Sequence, residues 1–100
     1  MSEIEVVEVE ADLEDLMPLF METRQKDLAD LAAGLAAGNF TALRLTGHSM
    51  KGAGGSYGFD RVSEIGAVIE DAALAGDAAS IKVQMETLRG YLQRIQIKYV

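Results

Sequence analysis

Apolar residues recur at steps of three and four along most of this chain. From the N-terminal side, Leu13, Leu16, Met17, Phe20, Arg24, Leu28, Leu31 and Leu35 share one stripe, and Gly38-Asn39 supplies a stop. Pro18, the only proline, fits if it falls in the first turn, where a missing N–H costs nothing. The pattern predicts a helix from about Asp15 to Ala37. Before it, Ile4 to Glu10 alternates apolar and acidic residues imperfectly, which is compatible with a short extended arm or with a helical lead-in.

A second helix is expected after Asn39, a good N-cap, with Phe40, Leu43, Gly47, Met50, Gly54 and Tyr57 on one stripe. Its end is ambiguous. The run Gly52-Ala53-Gly54-Gly55-Ser56 reads locally as loop, because each glycine costs a helix interior about 1 kcal/mol relative to alanine. Asp60 is a candidate cap for a third helix with Val62, Ile65, Val68, Ile69 and Ala72 facing inward, ending at Ala75-Gly76. Asp77 caps a fourth, in which Ile81, Met85, Leu88, Leu92, Ile95 and Tyr99 keep a heptad-like spacing to the C-terminus. No convincing strand remains. The expected fold is all-α, an up-down-up-down antiparallel four-helix bundle, because short connections force neighbouring helices antiparallel. Residues 1–100 form one domain in this reading, with 1–12 a lead-in and 13–100 the bundle.

Composition narrows the function more than the fold. At 100 residues, 49% hydrophobic and 25% charged, the chain has the makeup of one soluble domain with a modest core. Absence of cysteine excludes disulfides, thiolate metal sites and a cysteine nucleophile. No signal peptide or apolar run of about 18 residues is evident, so a cytoplasmic protein with no membrane association is expected. A net charge of -7 disfavours nucleic acid and anionic lipid, which select clustered Lys and Arg.

Against that acidic background, Arg44 and Lys51 near His48 stand out. His48 is the only histidine, too few for a bundle-core metal centre, so neither a metal nor another cofactor is expected. Neither a nucleophile elbow nor a Gly-Lys-Ser/Thr phosphate loop occurs, which argues against a self-contained enzyme. Acidic residues such as Glu70 and Asp71 read as solvated helix surface. At 100° per residue, His48 falls about 140° from Leu43, outside the buried stripe. If the helix continues, its neighbours are Arg44, Leu45, Lys51, Gly52 and Gly55.

Such an arrangement suits phosphoryl transfer. A neutral imidazole is a nucleophile, cations pair with phosphate oxygens, and glycines leave room for another protein's active site. Leu45 would serve as an apolar docking contact. The plainer reading of the same residues is a surface histidine beside a glycine turn.

Gly47-His48-Ser49-Met50-Lys51-Gly52, followed after five more residues by Gly58, resembles the H-x-x-K-G-x5-G signature of histidine-containing phosphotransfer (HPt) domains. The resemblance extends over most of the chain, through the helix ending Leu35-Ala36-Ala37-Gly38-Asn39-Phe40 and the later helix ending near Glu70. It implies a four-helix core whose second helix continues through the Lys-Gly segment. It also implies that His48 is phosphorylated, that Lys51 lies beside the phosphoryl group and that Gly52 admits a receiver domain. Gly58 would lie near the helix end. Gly47 departs from the commoner alanine and Met50 from leucine, and Gly54-Gly55 implies local mobility until a partner docks. The implied role is a phosphoryl carrier in a two-component phosphorelay. Its partners would be a response-regulator receiver domain, which supplies Mg²⁺ and the acceptor aspartate, and a sensor histidine kinase or its receiver domain. The alternative is a non-phosphorylated helical adaptor that binds a signalling partner through the same face.

Overall fold

The computed structural model describes residues 3–100. The element order is a strand β1 (Glu5–Val9), a 3-10 helix (Ala11–Leu16), helices α1 (Met17–Ala37), α2 (Phe40–Tyr57), α3 (Asp60–Leu74) and α4 (Ala78–Arg94), and a strand β2 (Ile95–Tyr99). Four helices make up most of the chain, at the places where the apolar stripes recur.

Helix boundaries follow local chemistry. Pro18 occupies the first turn of α1, where a missing N–H leaves no intrahelical bond unmade. Gly38, at φ 63, ends α1 in the left-handed region that penalises a side chain. Asn39 then caps α2 by accepting a hydrogen bond from the Ala42 N–H at 3.1 Å, and Asp77 caps α4 by accepting from the Ser80 N–H. The expected cap at Asp60 is not formed. Phe59 holds the N-cap position and Asp60 is the first helical residue, where its charge favours the helix dipole without capping.

The C-terminus departs from the expected helix. Ile95–Tyr99 forms a strand parallel to β1, in register from Glu5 opposite Ile95 to Val9 opposite Tyr99. Ile95 and Tyr99 lie four residues apart and so satisfy a helical period, but Ile-Gln-Ile-Lys-Tyr also alternates with period two and carries β-branched residues. Pairing decides the matter, because a strand here lets Val7 and Ile97 pack on the core and buries Val9. The N-terminal segment is accordingly an extended arm through Val9, followed by the 3-10 turn. Val68, expected inward, is exposed.

Helix α2 runs unbroken to Tyr57, through the segment whose glycines read locally as loop. Packing outweighs propensity there. A Cβ on Gly54 would lie 2.5 Å from the Ser63 backbone nitrogen, and one on Gly47 would lie 2.8 Å from both the Glu70 nitrogen and the Gly66 carbonyl. Gly66 faces α2 in turn, with its Cβ position 2.5 Å from the Lys51 nitrogen. Helices α2 and α3 therefore touch backbone to backbone. Gly54 is buried in this contact, whereas Gly52 and Gly55 face open space.

These two classes of glycine should respond oppositely to alanine. Gly54→Ala forces α2 from α3 and should lose about 1–3 kcal/mol of unfolding free energy in urea. Gly55→Ala adds helix propensity without a clash and should gain up to about 1 kcal/mol. Similar effects at both positions would show that the close approach carries no energetic weight.

Candidate functional site

Leu43, Gly47, Met50 and Gly54 are the buried residues of α2, so the stripe lies as the wheel requires and His48 points away from it. The imidazole side chain is 66% exposed. Its neighbour across the helix pair is Glu70 of α3, a residue that reads in the sequence as solvated surface. Glu70 is instead only 15% exposed and spans the gap between the helices. One carboxylate oxygen, Oε2, lies 2.7 Å from His48 Nδ1, and the other, Oε1, accepts from Lys51 Nζ at 2.9 Å.

The close approach of the backbones makes this bridge. Gly47 stands one residue before His48 and abuts the Glu70 nitrogen, so the carboxylate leaves α3 directly beside the imidazole. The Ser63 hydroxyl donates to the Lys51 carbonyl at 2.9 Å, tying the same stretch of α2 to α3 one turn further along.

Charge follows geometry. Lys51, and after it His48, hold the Glu70 carboxyl below its usual range, while Glu70 raises the Lys51 ammonium above its own. An ionised carboxylate only accepts hydrogen bonds, so Nδ1 must carry the proton that joins the pair. In the neutral ring the free lone pair then sits on Nε2, on the exposed side. The Glu70 contact thus selects one tautomer and presents its nucleophilic nitrogen to solvent.

The other expected residues surround this centre unequally. Lys51 reaches it, although through Glu70 and not as a free cation. Arg44 lies one turn before His48, half-buried, and forms no ion pair among the described residues. Gly52 and Gly55 are open, and Leu45 is exposed on the side of α2 that flanks α1. Glu70 is the residue sequence reasoning missed. It is 22 positions from His48 on another helix, and the pertinent signal was indirect: small residues at 47 and 66 that permit α2 and α3 to meet.

The depressed Glu70 carboxyl makes a pH prediction. Its folded value lies below its unfolded one, so its stabilisation is full above the ordinary carboxylate value and is lost as pH falls through the folded value. Wild type should exceed Glu70→Gln in denaturant midpoint at about pH 7, with the gap closing toward about pH 3. A gap independent of pH would contradict an ionised Glu70 at this site.

The Hpt domain family model matches residues 15–97 of the chain. No curated protein and no solved structure matches it. The matched span covers all four helices, His48, Lys51 and Glu70. Domains of this family are phosphocarrier modules rather than catalytic enzymes, and they work with receiver domains and kinases in phosphorelays. The chain, with its exposed histidine on the second of four helices, belongs to the Hpt domain family.

Proposed function

We propose that this protein carries a phosphoryl group on His48, to and from the aspartate of a response-regulator receiver domain in a two-component phosphorelay. The observation that carries the reading is the exposed imidazole whose Nδ1 is engaged by Glu70, which leaves Nε2 as the outward nucleophile. In the forward step the Nε2 lone pair attacks phosphorus of an aspartyl phosphate. The N–P bond forms, the P–O bond to aspartate breaks, and the aspartate leaves as carboxylate. The ring gains positive charge as it bonds, and the Glu70 carboxylate on Nδ1 offsets it. Reversal returns the group to a receiver.

Lys51 and Arg44, each within one turn of His48 on α2, neutralise phosphoryl oxygens in this reading, with Lys51 exchanging part of its contact with Glu70 for the phosphate. Gly52 and Gly55 provide the bare surface over which a receiver closes, and Leu45 offers it an apolar contact. Mg²⁺ and the acidic pocket belong to the receiver, so this chain needs no cofactor of its own. A sensor histidine kinase or its receiver domain is the partner at the other end of the relay. Among the described residues no helix is long and apolar enough to cross a membrane, and the work proposed is that of a cytoplasmic carrier. Residues 1–100 act as one domain in this account, with helices α1 to α4 running up-down-up-down. Links of two or three residues at Gly38-Asn39, Gly58-Phe59 and Ala75-Gly76-Asp77 support that antiparallel order.

Incubation with a phosphorylated receiver should place acid-labile, alkali-stable label on the protein. His48→Gln should take none. Glu70→Gln should keep the label but acquire it roughly 10–100-fold more slowly, the loss expected from one charge-assisted hydrogen bond. Equal labelling of wild type and His48→Gln would overturn the assignment.

A further inference from the structure

Helix α1 buries a cation in the midst of its apolar stripe. Arg24 is 2% exposed, and its guanidinium lies 4.6 Å over the ring of Phe20. Its Nε donates to Asp27 Oδ2 at 2.7 Å, and that is its only side-chain hydrogen bond among the described residues. The two terminal nitrogens, with four N–H groups, therefore have no protein acceptor there. Yet no buried side-chain nitrogen or oxygen among the described residues is both sealed from solvent and unpartnered. The terminal N–H groups must open onto accessible space.

Arg24 is one of the residues that line a pocket of about 270 Å³ between α2 and the N-terminal half of α1. Leu16, Leu19, Phe20 and Ala53 give it apolar walls, and the Thr23, Ser49 and Tyr57 hydroxyls give it polar ones. Thr23 donates to the Leu19 carbonyl, whereas Ser49 and Tyr57 make no side-chain hydrogen bond among the described residues. No acidic side chain lines the pocket, which is notable in a chain of net charge -7. A guanidinium presents its free donors as a planar fork that matches a carboxylate. Burial strengthens that match, because water competes poorly and an unmade bond is costly.

We propose that this α1–α2 pocket is a binding site for a small organic carboxylate with a compact apolar body, its carboxylate on the Arg24 terminal N–H groups and its apolar part against Leu16, Leu19 and Ala53. Asp27 keeps the Nε edge of the guanidinium and the ligand takes the opposite one. The site is distinct from the imidazole–Glu70 bridge and does not depend on whether His48 accepts a phosphoryl group.

Benzoate and its neutral isostere benzamide are the probes, titrated at constant ionic strength into the ¹⁵N-labelled, unphosphorylated full chain. Benzoate should give saturable amide shifts centred on Thr23, Arg24, Ser49, Ala53 and Tyr57, with a midpoint on the order of 1 mM. Benzamide should bind at least about tenfold more weakly, since it lacks the charge that the fork selects. Arg24→Gln should abolish the benzoate response. Because that change also strips Asp27 of its partner, Ala53→Leu provides a second test, filling the pocket while leaving the Arg24–Asp27 pair in place. Absence of saturable shifts in wild type, equal response to benzamide, or a response that survives Ala53→Leu would overturn the proposal.

Discussion

The structure depends on a backbone-to-backbone contact between α2 and α3, made where Gly47, Gly54 and Gly66 have no side chains to hold the helices apart. An ordinary pair of helices packs at 8–10 Å between axes, with side chains filling the space. A Cβ at any of these three glycines would come within 2.8 Å of backbone on the facing helix, so this pair cannot be built from larger residues without separation. The cost is helix propensity, about 1 kcal/mol for each glycine, which Ser63, Ile65 and Ile69 packing from α3 must offset.

What the contact secures is the reach of Glu70. A glutamate on one helix meets a histidine and a lysine on another through both carboxylate oxygens, and such bidentate bridging tolerates little movement of the helices. The electrostatic result is ordered. Glu70 is held ionised chiefly by Lys51, the ionised carboxylate retains the Nδ1 proton, and the retained proton leaves Nε2 free. Each step depends on the previous one. On the opposite side of His48, exposed glycines at 52 and 55 leave that nitrogen approachable, so glycine serves the proposed site twice, through burial and through exposure.

Much of the helical framework was legible because its signals are local. Asn39 and Asp77 are capping residues with the right geometry one turn ahead, and the Leu43 stripe fixes by simple rotation which way His48 points. Elements that depend on distant partners were not legible. Ile95–Tyr99 satisfies both a helical and an alternating period, and only the presence of Glu5–Val9 alongside decides for a strand. The glycines at 52–55 read as a break because their local cost is visible and the α3 backbone that justifies Gly54 is not. Glu70 reads as solvated surface for the same reason. Its partial burial and both of its bonds arise from α2, and no periodicity within α3 encodes them. The family signature corrected the helix break, but the tautomer of His48 came only from the geometry.

If contact between α2 and α3 sets the chemistry of the imidazole, the ¹⁵N chemical shifts of His48 report it directly. Long-range ¹H–¹⁵N spectra above the imidazole titration distinguish a protonated ring nitrogen from a bare one. Wild type should show Nδ1 protonated and Nε2 bare, and Gly66→Ala, which pushes α3 from Lys51 and carries Glu70 with it, should revert toward the mixture of a free imidazole. A wild-type ring already in that free mixture, or one protonated on Nε2, would show that Glu70 does not select the tautomer.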